Sequence, residues 1–380
     1  MISRRQFMAM LGRASWLLAA GCTPSEVGRG IMAAEQLSRG KVPGEVSAVL
    51  PSTGVAIVDS MVRRHLQALA RKLLQEWGDE KVPSQKEYVK YSDQYLSRAI
   101  INFETGDIRV ETVAPEEPRA KLRSAIIATL LTPEDPTRVD LLSDQPVLTN
   151  GEPFLADVVR DHRGQPIRRP EQAGAYADHL LATAYRTDIY HQRPRHFVTL
   201  AMIKEHNAGQ QRRYQREVSL QARRFKLDQA LIYAIIEAES SFNPYAISHV
   251  PAYGLMQIVP ASAGRDAHRL LYNRDGTPTR EYLLVPANNI QMGSAYLSIL
   301  GERYLARVSD PQAREYCVIA GYNTGSGNVL KAFDPDRDRA FAQINRRSSR
   351  QVYDHLVGHL PYRETRDYLK KVVRLKPKYG

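Results

Sequence analysis

Cysteine is scarce in this sequence, with only Cys22 and Cys317 among 380 residues. Cys317 lies in a helical pattern with Ala313, Tyr316 and Ala320, so we expect a small core residue and not a nucleophile. The chain also lacks zinc-ligand spacing, an RNA-binding signature and a P-loop. We therefore expect no metal site, no cofactor and no nucleic-acid partner.

The apolar run at the start of the chain is too short for a typical membrane-spanning helix. It extends from Met8 to Ala20, follows Arg4 and Arg5, and ends next to Cys22. A basic segment, an apolar segment and small residues in this order are typical of an export signal. We therefore expect residues 1–22 to be a targeting segment.

Residues 18–22, Leu-Ala-Ala-Gly-Cys, resemble a bacterial lipobox. The resemblance implies a lipoprotein signal peptide over residues 1–22 and a lipid anchor at Cys22, with an uncleaved anchor or a plain signal peptide as the alternatives. Residues 3–8 also resemble a twin-arginine export signal. Each of these implies a mature protein outside the cytoplasm. Thr23 stands where an aspartate often retains lipoproteins in the inner membrane, which favours the outer membrane facing the periplasm in a Gram-negative envelope.

Charge of one sign is in excess, because 53 Lys and Arg residues against 41 Asp and Glu residues give a net charge of +12. Such a surface suits an anionic partner, and nucleic acid, anionic lipid and the acidic cell wall all qualify. Charge alone does not choose among them, and a solvated surface with a basic bias is the simplest explanation for most of these residues. With 43% hydrophobic and 25% charged residues, the chain is globular and long enough for two domains.

Composition and periodicity divide the chain after the targeting segment. Residues 23–54 are rich in Gly, Pro, Ser and Ala without sustained periodicity, which predicts a flexible tether. Residues 55–205 mix helical and strand patterns and predict a small α+β domain. Helical spacing dominates over residues 206–380, which predicts a mainly α domain.

Within the α+β domain, apolar spacing predicts one helix ending near Gly78 and another closed by Pro133. Alternating apolar residues on both sides of a turn at residues 104–107 predict a β-hairpin. Val158-Val159 and residues 197–203 are further candidate strands. No catalytic pattern occurs in this region.

A carboxylate continues an apolar helical stripe in the second domain. The helix is predicted to begin at the N-cap residue Asp228 and to stop at Asn243-Pro244. Glu239 continues the stripe, whereas Glu237 falls on another side and is expected to be the solvated acid. Desolvation would raise the pKa of Glu239, as a general acid near neutral pH requires. On this pattern alone, a buried glutamate paired with Arg or Lys is an equal alternative. The stripe consists of Leu231, Ile232, Ile235 and Ile236.

Four blocks follow one another in this domain. They are Glu-Ser-Ser-Phe-Asn-Pro at 239–244, Gly-Leu-Met-Gln at 254–257, Gly-Tyr-Asn-Thr-Gly at 321–325, and Pro361 with Glu-Thr-Arg and Tyr at 364–368. Their order resembles that of family 1 lytic transglycosylases, goose-lysozyme-like enzymes that cleave peptidoglycan. The resemblance implies a mainly α, lysozyme-like (SLT) catalytic domain over residues 206–380. A helix is predicted to end at Gly321.

The first domain carries a resemblance of its own. Tyr-Val-Lys-Tyr at 88–91, Asn-Phe at 102–103 and Glu-Pro-Phe-Leu at 152–155 resemble the N-terminal domain of membrane-bound lytic murein transglycosylases of the C type. The resemblance implies that the whole chain has the architecture of that family. The role of this domain stays open, with substrate positioning or partner binding as hypotheses.

The resemblance implies cleavage of the β-1,4 bond between N-acetylmuramic acid and N-acetylglucosamine. Glu239 alone would protonate the leaving oxygen and then remove the proton from the muramic C6 hydroxyl, which leaves a 1,6-anhydro end. The implied partner is the peptidoglycan glycan strand, and protein partners are unknown. Substrate-binding roles are implied for Ser248, Met256, Gln257, Tyr322, Asn323 and Tyr368, the last of which would face Glu239.

Other functions remain open at this point. A goose-type hydrolase would use the same Glu239 with water as the nucleophile. A cell-wall-binding lipoprotein with a retired site would be free to lose Ser248, Gln257 and Tyr322, all of which are present. A DNA-binding protein would require cytoplasmic residence, which the leader ending at Cys22 opposes.

Overall fold

A five-stranded antiparallel sheet forms the centre of the N-terminal part. The structure is a computed structural model that describes residues 70–141, 143–248 and 252–380. The strand order is β1-β2-β3-β5-β4, and each neighbouring pair is antiparallel. The strands are β1 (Glu87–Ser92), β2 (Ser97–Asn102), β3 (Asp107–Thr112), β4 (Arg186–Tyr190) and β5 (Arg193–Ala201).

The predicted β-hairpin is confirmed as β2 and β3, which pair from Ser97 with Thr112 to Ile101 with Ile108. Alternation places Ile101 and Ile108 on the buried face of the sheet. The candidate strand at residues 197–203 is the second half of β5, which ends at Ala201. The strands β1 and β4, which the sequence analysis did not predict, complete the sheet.

Helices cover both faces of the sheet. Helix α1, described over residues 70–77, packs against Val89 and Tyr91 on one face. Helices α2 (Pro118–Leu130) and α3 (Pro170–Thr183) pack on the opposite face, which carries Ile101 and Ile108. The two predicted helices are confirmed as α1, which ends beside Gly78, and α2, whose Leu122 and Ile126 are fully buried. The predicted strand at Val158-Val159 is wrong, because these residues lie in a turn. They are apolar since they fill the core under the sheet.

The second part of the chain is mainly helical, so the predicted fold class is confirmed. Two π-helical turns, at Pro260–Gly264 and Leu300–Tyr304, adjoin α-helices of this part. The helices are α4 (His206–Phe225), α5 (Gln229–Ser240), α6 (Arg265–Tyr272), α7 (Arg280–Leu284), α8 (Pro286–Ile299), α9 (Pro311–Thr324), α10 (Ser326–Lys331), α11 (Arg337–Asn345), α12 (Ser349–His359) and α13 (Arg363–Leu375).

Helix α5 runs through the core of this part. The Asp228 carboxylate caps it by accepting from the backbone N–H of Ala230 at 2.8 Å. The stripe residues are buried, and so are their neighbours on the other sides of the helix. The chain leaves α5 through left-handed residues at Ser241 and Phe242, with φ of 51° and 64°. The helix therefore ends before Asn243-Pro244.

One expected helix end is wrong. Helix α9 continues past Gly321 to Thr324, so that Tyr322 and Asn323 lie in its last turn. A β-carbon added at Gly321 would meet its nearest neighbour at 3.5 Å. A side chain would therefore fit at Gly321 as at an ordinary helical position, and Gly321 does not end the helix. Cys317 lies in the same helix, fully buried, as predicted.

Tyr245 joins the two parts, because it follows α5 and inserts into the core of the N-terminal part. Its ring is 1% exposed, and its centroid lies 5.1 Å from that of Tyr88 and 5.3 Å from that of Phe154. Its hydroxyl donates to the carbonyl of Pro133. The segment that follows Glu239 is thus anchored in the neighbouring domain.

The predicted signal peptide over residues 1–22, the lipid-bearing Cys22 and the tether over residues 23–54 lie outside the described residues. Within the described ranges, no helix is long and apolar enough to cross a membrane.

Candidate active site

Glu239 lies in the last turn of α5, one residue before the helix ends. Its side chain is half-buried, so it keeps limited access to solvent while protein atoms surround most of it. Burial raises the pKa of Glu239 from its ordinary 4.5 to about 7, because desolvation penalises the ionised form.

Neighbouring groups adjust this pKa in both directions. The hydroxyl of Tyr368 and the ammonium groups of Lys371 and Lys86 lower it, whereas the carboxylate of Glu364 raises it. Tyr368 and Lys371 lie one turn apart on α13, and Lys86 precedes β1 in the N-terminal part. Burial is the largest effect, so a substantial share of Glu239, about half, is protonated at neutral pH.

Tyr368, on α13, lies next to Glu239, which is on α5. Its side chain is 8% exposed, and among the described residues its hydroxyl has no partner of standard hydrogen-bond geometry. It is still close enough to Glu239 for the two groups to interact. Burial and then the charge of Glu239 raise the pKa of Tyr368 well above its usual value. Tyr368 is therefore a neutral hydroxyl donor.

The end of α5 is tied to a loop formed by residues 252–258. The hydroxyl of Ser240 donates to the carbonyl of Leu255 at 2.8 Å. Within the loop, Tyr253 and Ile258 form a small antiparallel bridge. Glu239 and this loop are thus held at a fixed separation.

Asn289 on α8 supports this loop from behind. Its side-chain oxygen accepts from the N–H of Met256 at 2.7 Å, and its amide nitrogen donates to the carbonyls of Tyr253 and Leu283, both at 2.7 Å. A β-carbon at Gly254, where φ is +74°, would lie 2.4 Å from that nitrogen. The prediction of a mainly α domain over residues 206–380 does not single out Asn289. A buried, fully bonded asparagine has no local sequence signal.

Met256 and Gln257 take different places in this loop. Met256 has no exposed surface and packs against Gly293, so its side chain is a core residue behind the loop. Gln257 has a left-handed backbone, with φ of 49°, and its amide nitrogen donates to the carbonyls of Ala246 and Gly254. Its amide oxygen is buried and lacks a partner in the described part of the chain.

Tyr322 and Asn323 meet the site from the last turn of α9. The Tyr322 hydroxyl donates to the carbonyl of Met256 at 2.8 Å, and burial followed by the charge of Glu239 raises the pKa of Tyr322 well above its usual value. The Asn323 amide oxygen accepts from the hydroxyl of Thr365 at 2.7 Å. Both residues are partly exposed, so they retain surface that a ligand can contact.

Ser248 is the last described residue before a gap at residues 249–251. Its N–H donates to the carbonyl of Ala252 at 3.1 Å. The predicted role of Ser248 toward a sugar or toward Glu239 stays a prediction.

The expectation that Glu237 is solvated is wrong. Its side chain is only 12% exposed and forms an ion pair with Lys378 at 2.9 Å. It also accepts from the hydroxyl of Tyr379 and, at 3.2 Å, from the amide of Asn207. The C-terminal residues cover this side of α5, which the periodicity of the helix does not reveal. Glu237 is therefore bound on the side of the helix away from Tyr368.

Potential metal ligands do not gather near these residues. Over the three described ranges, no group of three or more His, Cys, Asp or Glu side chains is placed to hold a metal ion. Burial raises the pKa of the Cys317 thiol to about 12, so it is an inert core residue. The chemistry that the arrangement offers is proton transfer from a single carboxyl group.

Two family models match this chain. The model of the membrane-bound lytic murein transglycosylase C N-terminal domain matches residues 57–215, and the model of the transglycosylase SLT domain matches residues 218–345. Both matches define the chain as a transglycosylase with an SLT catalytic domain.

Curated relatives named membrane-bound lytic murein transglycosylase C agree with this match. The relative from Cronobacter sakazakii is 44% identical over 299 residues, which cover 78% of this chain and 83% of the relative. The relative from Sodalis glossinidius is 44% identical over 306 residues, or 80% and 85% of the two chains. The chain belongs to the family of membrane-bound lytic murein transglycosylase C.

Solved structures of lytic transglycosylases are similar to part of the chain. One from Pseudomonas aeruginosa is 28% identical, with a TM-score of 0.34, over 44% of this chain and 24% of its own. The 70 kDa soluble lytic transglycosylase of Escherichia coli is 25% identical, with the same TM-score and the same coverage.

Proposed function

We propose that this enzyme cleaves the β-1,4 bond between N-acetylmuramic acid and N-acetylglucosamine in peptidoglycan, with Glu239 as its catalytic carboxyl group. The observation that carries the proposal is the position of Glu239 at the end of α5, where burial raises its pKa to about 7. A carboxyl group in this state donates a proton readily and, once ionised, accepts one.

In the first step, Glu239 donates its proton to the glycosidic oxygen as the bond to C1 of the muramic residue breaks. In the second step, the Glu239 carboxylate takes the proton of the C6 hydroxyl of the same sugar as that oxygen bonds to C1. The product is a 1,6-anhydromuramyl end, and Glu239 regains its proton. An internal nucleophile has an advantage of several kcal/mol over water when it is well aligned.

Two other carboxylates lie near Glu239 in sequence or in space, and neither replaces it. Glu237 is bound by Lys378 and Tyr379 at the back of α5. Glu364 acts through its charge, since it raises the pKa of Glu239 and so favours the acid form. We assign Glu364 this electrostatic role and no nucleophilic one.

The surrounding residues then have two kinds of role. Tyr368 is the neutral hydroxyl that faces Glu239, and the buried Gln257 amide oxygen is an acceptor for a sugar hydroxyl or amide. Tyr322 and Asn323 contact the sugar with their exposed surface. Met256 acts through its carbonyl, which the hydroxyl of Tyr322 holds. Ser248 hydrogen-bonds the reacting sugar or orients Glu239.

We place the enzyme at the cell envelope, attached by a lipid at Cys22 to the outer membrane and facing the periplasm. Its relatives carry the word membrane-bound in their names, and residues 18–22 have the lipobox pattern. The positive net charge of +12 suits the acidic cell wall. A lipid anchor and a flexible tether would let the catalytic domain reach nearby glycan strands.

The test is mass spectrometry of the soluble products after the full chain, or its Glu239→Gln variant, is incubated with purified peptidoglycan. We expect anhydromuramyl products from the unaltered enzyme and none from the variant. Products with reducing ends would instead indicate a muramidase that uses the same acid. Equal product from both proteins would exclude Glu239 as the catalytic residue.

A further inference from the structure

The N-terminal domain brings charged side chains to Glu239. Lys86 precedes β1, and Glu104 lies in the turn between β2 and β3. The N–H of Phe103 donates to the carbonyl of Lys86 at 2.9 Å, which holds the two segments side by side. They face the end of α5 and the helix α13 across the boundary between the domains.

Lys86 and Lys371 bind one carboxylate oxygen from the two sides of this boundary. Lys86 donates to Oε1 of Glu104, and Lys371 on α13 donates to the same atom at 3.4 Å. Lys371 also donates to the carbonyl of Ala238, the residue before Glu239, at 3.4 Å. One negative and two positive groups thus form a cluster beside the catalytic carboxyl group, with a net charge of +1.

We propose that Lys86 is a positioning residue of the active site, which holds a positive charge next to Glu239 and thereby controls the pH range in which the enzyme works. The proposal rests on the proposed function, because it assumes that Glu239 is the acid. Lys86 acts through Glu239 and need not contact the substrate.

The groups that face Glu239 determine the sign of the effect. Glu364, Tyr368 and Lys371 come from α13, Tyr322 from α9, and Lys86 from the N-terminal domain. Both ammonium groups stabilise the carboxylate and lower the pKa of Glu239, against the larger effect of burial. Removal of Lys86 therefore leaves Glu239 protonated to higher pH.

Lys371 offsets part of this change. Burial, and after it the proximity of Lys86, lowers the pKa of Lys371 to about 8. Without Lys86, Lys371 keeps its charge to higher pH and continues to stabilise the Glu239 carboxylate. The double variant Lys86→Met, Lys371→Met should consequently have a larger effect than Lys86→Met alone.

The experiment measures the initial rate of the full chain at low concentrations of soluble glycan strands as a function of pH, which follows kcat/KM. The alkaline fall in rate reports the loss of the acid's proton. We expect Lys86→Met to move this fall upward by roughly half a pH unit, since a partly exposed ammonium has a modest effect. Lys86→Arg, which keeps the charge, should leave the fall in place.

Lys121 supplies a matched control in the same domain. It forms an ion pair with Asp93 at 2.7 Å and is not among the groups that act on Glu239. Lys121→Met should leave the pH profile unchanged. The polar variant Lys86→Gln serves the same purpose as Lys86→Met if the latter does not fold.

An alkaline fall that stays in place when Lys86 is replaced by Met or Gln, or that moves equally in Lys121→Met, would overturn the proposal. If either of these results is obtained and the Glu239→Gln variant is inactive, Glu239 remains the acid and only the proposed role of Lys86 is refuted. An active Glu239→Gln variant would instead remove the function on which the proposal rests.

Discussion

Replacement of Glu239 by glutamine should stabilise the protein above neutral pH. In the folded chain the pKa of Glu239 is about 7, against an ordinary value of 4.5. Because the raised pKa favours the protonated form, the folded protein loses stability as the pH rises from about 4.5 to about 7. The difference of the two pKa values corresponds to about 3 kcal/mol. A neutral amide carries no such penalty.

The assay is urea unfolding of the full chain and of Glu239→Gln at about pH 4 and about pH 8. We expect the two proteins to have similar free energies of unfolding at the lower pH, and the variant to be about 3 kcal/mol more stable at the higher pH. Glu237→Gln is the control on the same helix, and it should gain nothing because it loses the ion pair with Lys378. A difference between Glu239→Gln and the unaltered protein that does not change with pH would refute the reasoning.

Three further substitutions have defined outcomes. Tyr245→Ala should lower the free energy of unfolding by about 4 kcal/mol, because it empties a buried site between the domains; a loss below about 1 kcal/mol in urea unfolding would contradict this. Gly254→Ala should lower both the melting temperature and the activity, since its β-carbon would lie 2.4 Å from the Asn289 side chain; unchanged values of both would oppose the geometry of the loop. Tyr368→Phe should shift the alkaline fall of the rate to higher pH, because the hydroxyl lowers the pKa of Glu239; a shift to lower pH would be inconsistent with that contact.

Local patterns predicted the elements whose partners are close in sequence. The alternation around residues 104–107 predicted the β2–β3 hairpin, and Asp228 with its apolar stripe predicted where α5 begins. Both features depend on neighbouring residues along the chain, and both are confirmed. The position of Glu239 in line with the apolar stripe follows from the same helical period, and its side chain is half-buried.

Local sequence patterns did not predict the features that depend on distant parts of the chain. Glu237 was expected to be solvated, but Lys378 and Tyr379, far along the chain, bind it. Val158-Val159 has the composition of a strand, yet it fills the core from a turn. The contact of Lys86 with Glu104 likewise requires the folded sheet. No residue spacing encodes such contacts.

The domain interface explains why a small N-terminal domain precedes a complete set of catalytic motifs. Tyr245 is buried in the core of that domain, and the amide of Asn243 donates to the carbonyl of Gln85 at 3.1 Å. Both residues belong to the segment that follows Glu239. The N-terminal domain thus directly supports the segment that follows Glu239, in addition to the charge of Lys86.

In the mechanism that we propose, one half-buried carboxyl group, Glu239, supplies the proton for bond cleavage. The most direct test of this claim records the protonation of Glu239 and the activity of the same sample over one pH range, with 13C-labelled glutamate followed by NMR and assigned with Glu239→Gln. We predict a signal, absent from the variant, with a midpoint near 7 that coincides with the alkaline fall in activity. A midpoint near the ordinary 4.5, or full activity after complete ionisation of Glu239, would contradict the claim.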